Sequence, residues 1–292
     1  MFHITLVVNP FASRVSEPVL RAVEGQLTRL APVETWLTER PGHATEIVQA
    51  SQAGAIVVFG GDGAANEVVN GLARDVPLAF LPGGGTNVLA RALGLPRDPI
   101  EAAGRLDLGR TRRISVGRAN GRRFAFSCGV GFDAAAVRRV DSLGRASDGR
   151  RPGDVAFAWQ LARALAAESF HLEPSLEIAG LGRAATAFIA NGDPYSYAGR
   201  VPLHVAPEAR FELGVDVVAP VRVTPALLPR FARYVLRGDG QQRDGRILYA
   251  RDRDRVEISC DRPLPLQADG EDLGDVEHLV VEVEREALTV LV

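Results

Sequence analysis

Lysine is absent from this chain: all 34 basic residues are arginine. The absence reads as compositional bias, yet it has a chemical consequence, since no lysine can act as nucleophile or phosphate ligand. Cysteine is nearly as scarce. Cys128 and Cys260 stand far apart in apolar or strand-like stretches, so buried free thiols are expected rather than a disulfide or metal site, and a reducing compartment with them. Long apolar runs are missing too; none approaches the ~18 residues that span a bilayer. Strand-like sequence begins at Phe2, without the basic segment and apolar core of a signal peptide, and a cytoplasmic protein is expected. Nor does one sign of charge dominate. The net charge of −2 gives no global pull toward nucleic acid or anionic membrane. What remains, 46% hydrophobic and 24% charged over 292 residues, is an ordinary globular composition with length for two domains.

The first third alternates strand and helix patterns. Strands are expected over Phe2 to Val8, Val33 to Leu37, Ala55 to Phe59 and Pro77 to Leu81, with helices over Pro18 to Leu30 and Ala44 to Ser51. Such repeats predict a parallel sheet with crossover helices, and ligands beyond the carboxyl ends of its strands. From about Arg113 short alternating stretches separated by turn residues predict antiparallel β structure. Helices are expected there over Asp154 to Ser169 and Thr224 to Arg237. The predicted division is residues 1–112, α/β and Rossmann-like, and 113–292, a β-sandwich whose last strand returns to the first domain.

Gly60-Gly61-Asp62-Gly63-Ala64-Ala65-Asn66-Glu67 is the segment richest in chemistry. It ends an apolar strand and opens a helix, a geometry that presents backbone N–H groups to phosphate. Asp62 lies within that cradle, where a simple anion site would avoid a carboxylate. Its charge makes sense beside a metal ion bound to phosphates, or as acceptor of a proton from an attacking hydroxyl. Pro82 to Arg91, with Gly84, Gly85, Thr86 and Asn87, forms a second glycine loop at the same edge; read alone it is either a tight turn or a ligand loop. Asn9-Pro10 reads as a turn or a ligand contact. Asp269-Gly270-Glu271, read alone, is a solvated hairpin tip.

Together these segments resemble the diacylglycerol kinase catalytic family, which includes sphingosine kinases and bacterial lipid kinases. Gly129-Val130-Gly131-Phe132-Asp133-Ala134, Ala190-Asn191-Gly192 and Gln267-Ala268-Asp269-Gly270-Glu271 extend the likeness over nearly the whole chain. The resemblance implies transfer of the ATP γ-phosphate to a lipid hydroxyl, with Mg²⁺, in a cleft between an α/β domain and a β-sandwich. It makes Glu271 the catalytic acid–base residue and puts Asp62 beside the metal-bound nucleotide. Some members give Asp62's position the base role, so Asp62, Asp269 and Glu271 all stand as catalytic candidates. Nucleotide contacts are implied for Asn9, Thr38, Gly60 through Glu67, and Gly84 through Asn87, with a strand-end hydroxyl as the alternative for Thr38. Asp133 is either a lipid-headgroup contact or a structural carboxylate. A lipid substrate met at the inner membrane surface is implied; a homodimer is compatible with the pattern.

Departures from the family pattern are specific. Ala64 replaces a threonine, Gly85 aligns with another, and Val88 replaces an acidic residue. Each lost hydroxyl bond costs roughly 0.5–1.5 kcal/mol, enough to weaken ATP binding without abolishing activity. Glu212 and Leu213 replace the start of an Asp-Gly-x-x-Asp element, so of a structural Mg²⁺ site only Asp216 carries over. Two alternatives compete with the lipid kinase. An NAD kinase-like phosphotransferase uses a related turn, but no Thr-Gly-Ser-Thr segment stands in the second half. A catalytically silent nucleotide- or lipid-binding protein fits Ala64 and the altered element. Arg230, Arg233 and Arg237 on one side of the Thr224 to Arg237 helix fit either an anionic membrane or a helix packed on the β domain. The Asp154 to Ser169 helix reads as core, with an acyl-chain pocket as its alternative.

Overall fold

The computed structural model describes residues 2–142 and 171–292, which form two compact units. The first holds residues 2–114 and 286–292, the second 115–142 and 171–285. The helix expected over Asp154 to Ser169 lies outside the described residues.

In the first unit, β1 (Ile4–Val8), α1 (Glu17–Leu27), β2 (Val33–Leu37), α2 (His43–Ala50), β3 (Ala55–Gly60), α3 (Asp62–Gly71) and β4 (Leu78–Pro82) follow one another. They are followed by α4 (Val88–Ala92) and α5 (Pro99–Arg105). The strands pair in parallel in the order β4-β3-β1-β2. Every residue of β1, β3 and β4 is buried, which is why those strands read as unbroken apolar runs. Among the described residues β2 pairs only with β1, and Glu34, Trp36 and Leu37 are exposed, as at a sheet edge. Local chemistry starts the helices: Pro18 sits in the first turn of α1, and the Asp98 carboxylate accepts from the Ile100 and Glu101 amides to cap α5.

β5 (Thr111–Ala119) leads into the second unit. There follow β6 (Arg122–Phe124), β7 (Ser127–Val130), α6 (Phe132–Ser142), β8 (Leu176–Ile178), β9 (Gly182–Ala184), β10 (Ala187–Ala190), β11 (Ser196–Ala198), β12 (Val201–Leu203) and β13 (Val215–Pro220). α7 (Leu228–Arg237), β14 (Ile247–Arg253), β15 (Arg255–Ala268) and β16 (Glu271–Leu291) complete the chain. β14-β13-β10-β7-β15 is an antiparallel sheet, with β16 antiparallel to β15. Period-two alternation buries both faces of it. On β10, Ala187 and Ile189 join a core with Val217 and Leu266, while Phe188 and Ala190 join another with Val218 and Tyr234. The expected α/β fold followed by a mostly antiparallel β-sandwich is what forms. The final residues of β16 belong to the first unit, where Val290 pairs in parallel with Leu78 of β4.

α7 begins four residues later than its sequence pattern suggests. Thr224 makes a turn instead, its hydroxyl oxygen accepting from the Leu227 amide at 3.3 Å. The helix packs Phe231, Tyr234 and Val235 against the β core, and Arg230 reaches Asp244 at 3.8 Å. That is the surface-helix reading of its arginines. No helix among the described residues is long and apolar enough to cross a membrane.

Phe124 is fully buried, and a methyl on Gly117 would lie 2.1 Å from its ring. Phe124→Ala should therefore cost about 3–5 kcal/mol, read from the urea unfolding midpoint. A loss under about 1 kcal/mol, as at a surface site, would contradict this packing.

Candidate functional site

Because β1 to β4 run parallel, Asn9, Thr38, Gly60 to Gly63 and the loop after Pro82 all follow strand ends at one edge of the first unit's sheet. The two glycine loops lie backbone against backbone. The Gly83 amide donates to the Gly60 carbonyl at 2.7 Å. A methyl on Gly83 would come within 2.9 Å of Gly60, and one on Gly84 within 2.8 Å of the Gly61 Cα. Close approach thus demands glycine here for the loops' own contact. Gly85 differs: it is exposed, and a methyl there would meet nothing within 4 Å, so a side chain would fit.

Asp62 occupies the first turn of α3 and ties the loops together. Its carboxylate accepts from the Val88 amide at 3.0 Å and the Leu89 amide at 3.2 Å, at the start of α4. A helix N-terminus welcomes such a charge, which gives Asp62 a structural partner that the sequence did not reveal. Asn87, at φ 53°, folds back on Gly84, accepting from its amide at 2.8 Å and donating to its carbonyl at 2.7 Å.

The remaining predicted nucleotide contacts divide. Asn9 accepts from the Phe11 amide at 3.0 Å, the ordinary turn contact. Thr38 is buried and pairs with β1 through its amide. Ala64, Ala65 and Asn66 are buried in α3, and Asn66 accepts from Asn70. Glu67 is turned to α2: its carboxylate accepts from the Ala44 amide at 3.2 Å, and its carbonyl from the Thr45 hydroxyl at 2.8 Å. The cavity under the loops holds only about 10 Å³, about one water, so a nucleotide would have to lie on the outer side of the loops. The α3 N-terminus and glycine backbone fit a phosphate group there.

In the second unit, Asp269 and Gly270 form a two-residue hairpin between β15 and β16, with φ 49° and 77° and Ala268 facing Glu271. Asp-Gly suits a turn that needs positive φ at both positions. The tip is not simply solvated, as the tripeptide alone suggests. Asp269 is 3% exposed, and its carboxylate accepts from the amides of Ala125, Phe126 and Ser127 at 2.7, 2.9 and 3.1 Å. Asn191 holds the same segment from its carbonyls, through its amide to Phe126 and its side chain to Ala125 at 2.7 Å. Glu271, by contrast, is partly exposed and paired with Arg122 at 2.7 Å. Arg138 of α6 braces the next residue, Asp272, through bonds of 2.8 and 3.0 Å.

Gln267 links this hairpin to Asp133. Its side-chain oxygen accepts from the Gly270 amide at 2.9 Å, and its nitrogen donates to Asp133 at 2.7 Å and to Tyr195 at 3.0 Å. The Tyr195 hydroxyl donates to the same Asp133 oxygen at 2.7 Å. A methyl on Gly129 would lie 2.1 Å from that oxygen, which explains the glycine before Val130. Burial pushes the Asp133 carboxyl above its ordinary range, against the lowering effect of both donors. It pushes the Tyr195 phenol and the Cys128 thiol upward as well, so Cys128 is an inert buried thiol. Tyr195 escapes sequence reasoning because its role depends on a fold-level meeting with residues 62 and 72 positions away.

Asp216 is 1% exposed and accepts from the Asp252 amide at 2.9 Å and the Tyr249 hydroxyl at 3.3 Å. No group of three or more His, Cys, Asp or Glu residues among those described could hold a metal. In this structure protein donors hold the Asp216 carboxylate.

Residues 3–119 match the family model of the diacylglycerol kinase catalytic domain, and residues 127–292 that of the YegS C-terminal NAD kinase beta sandwich-like domain. The chain belongs to the diacylglycerol kinase catalytic-domain family. A Bacillus subtilis diacylglycerol kinase is 42% identical over 93 residues, 30% of this chain and 31% of that protein. The chain covers less than half the length of the first curated relatives it matches. A crystal structure of a diacylglycerol kinase from Bacillus anthracis superposes with a TM-score of 0.73 at 22% identity, over 99% of this chain and 96% of that one. An Archaeoglobus fulgidus NAD kinase solved with ATP reaches 0.50 at 12% identity, over 100% and 94%. These likenesses show the fold.

Asp133 generates a pH prediction. Below its ordinary value of 3.8 the carboxyl is protonated in both folded and unfolded states. As pH rises past that value the unfolded chain releases its proton first, so this group's contribution to stability falls until the raised folded carboxyl ionises too. Asp133→Asn should remove that decline, and its stability relative to wild type should rise with pH from 3.8 upward in chemical denaturation. Parallel pH curves would contradict the assignment.

Proposed function

We propose that this protein is a lipid kinase that transfers the γ-phosphate of ATP to a lipid hydroxyl of diacylglycerol or sphingoid type, with Mg²⁺. The observation that supports this most is the division of labour in the hairpin: Asp269 is buried and anchored by backbone amides, while Glu271 reaches solvent beside Arg122. A lipid alcohol is a poor nucleophile at neutral pH and needs a positioned carboxylate to take its proton. Glu271 is assigned that role, with Arg122 fixing its orientation. Asp269 acts through the hairpin as a positioning residue.

In the first unit, Gly60 to Gly63 and Gly83 to Asn87 would hold the nucleotide phosphates through backbone amides, with Asp62 the carboxylate nearest the bound metal. Mg²⁺ would supply charge neutralisation at the transferring phosphoryl group. The acceptor oxygen forms its bond to phosphorus as the bond to the ADP oxygen breaks, and the hydroxyl proton passes to Glu271. A lipid acceptor brings the protein to the inner membrane surface during turnover.

The test is transfer from γ-labelled ATP to a panel of diacylglycerols and sphingoid bases in detergent micelles. Wild type should label one lipid class, and Glu271→Gln should lower kcat by at least about 100-fold. Asp62→Asn should also depress transfer. Labelling of NAD and of no lipid would assign the protein to soluble alcohols instead. Undiminished turnover by Glu271→Gln would remove Glu271 from the base role.

A further inference from the structure

The packing of α7 uses only one side of the helix. Phe231, Tyr234 and Val235 face the β core, and the opposite side divides into two exposed rows. Pro229, Ala232 and Leu236, at i, i+3 and i+7, give an apolar row. Arg230, Arg233 and Arg237 repeat that spacing one position on and give a basic row beside it. Leu236 is 55% exposed, and Val201 of the neighbouring β12 is 47% exposed. α7 itself carries no acidic residue. Just beyond it, Asp244 is held by Arg246 at 2.6 Å and reaches Arg230 at 3.8 Å, while Asp239 is exposed past Gly238.

That outer face is complementary to an anionic bilayer. Guanidinium groups bind lipid phosphates, and an apolar row beside them enters the boundary between headgroups and acyl chains. Arginine stems also cover apolar surface while the charged ends stay among the headgroups. We propose that the outer face of α7 docks on an anionic lipid surface, with Arg233 and Arg237 against headgroup phosphates and Leu236 inserted between headgroups. Arg230 is shared with Asp244 and contributes less. Packing on the β core and contact with lipid use opposite sides of the helix, so α7 serves both. The choice of a membrane over another anionic partner rests on the lipid-kinase reading, but the contact itself requires neither ATP nor acceptor lipid.

The experiment is co-sedimentation of the whole chain with vesicles of equal parts phosphatidylglycerol and phosphatidylcholine, without ATP or acceptor lipid. Wild type should bind these at least about tenfold more tightly than pure phosphatidylcholine vesicles, and its affinity should fall as salt rises. The double variant Arg233→Ala, Arg237→Ala should lose at least about tenfold in affinity, and Leu236→Asn at least about threefold. Arg233→Lys, Arg237→Lys should retain most of it, because a bilayer surface attracts either cation. All three positions are exposed, and thermal melts check that each variant is folded. Transfer to lipid in nonionic detergent micelles should be unchanged in these variants, so docking and catalysis fail separately. Undiminished vesicle binding by the double alanine variant would overturn the proposal. Equal binding of wild type to both kinds of vesicle would also overturn it, and would leave the face to an acidic protein surface.

Discussion

The second unit is organised around one buried charge. Asp269 brings a carboxylate to 3% exposure, a placement that is costly unless donors surround it. The amides of Ala125, Phe126 and Ser127 supply them. In return, the segment between β6 and β7 gains acceptors for amides that its break in strand pairing would leave without partners. Asn191 grips the same segment from its carbonyl side. Three stretches far apart in sequence thus meet at one knot, and the hairpin carrying Glu271 projects from it. Gln267 extends the knot to Asp133 and Tyr195, so the hairpin's position is over-determined.

The first unit solves a comparable problem with backbone alone. Its glycine loops touch so closely that Cβ atoms at Gly83 and Gly84 would collide with Gly60 and Gly61. Asp62 then pins the start of α4. These glycines therefore serve the shape of the cradle before any ligand arrives. The carboxylate that looked out of place in an anion site neutralises a helix terminus within the protein itself.

Much of this was legible in the sequence. Apolar runs mark β1, β3 and β4 because central parallel strands are buried on both faces. Asp-Gly marks the β15–β16 turn because positive φ is needed at both positions. The roles within the site were less legible. Glu67 sits in the cradle's sequence yet serves α2, since a helix turns its side chains to different neighbours. Asp269 and Glu271 are two residues apart but differ in burial, and only tertiary contacts decide which one is anchored. Tyr195 and Arg122 carry no local signal, because their partners lie 62 and 149 positions away.

The most direct test of this account is amide hydrogen exchange in Asp269→Gly, compared with wild type. Glycine keeps the positive φ of the turn while deleting the carboxylate. The account predicts that the amides of Ala125, Phe126 and Ser127 are strongly protected in wild type and exchange at least about tenfold faster in the variant, while the β15–β16 ladder stays protected. Equal protection of those three amides in both proteins would show that Asp269 does not hold the segment, and the anchored hairpin would lose its foundation.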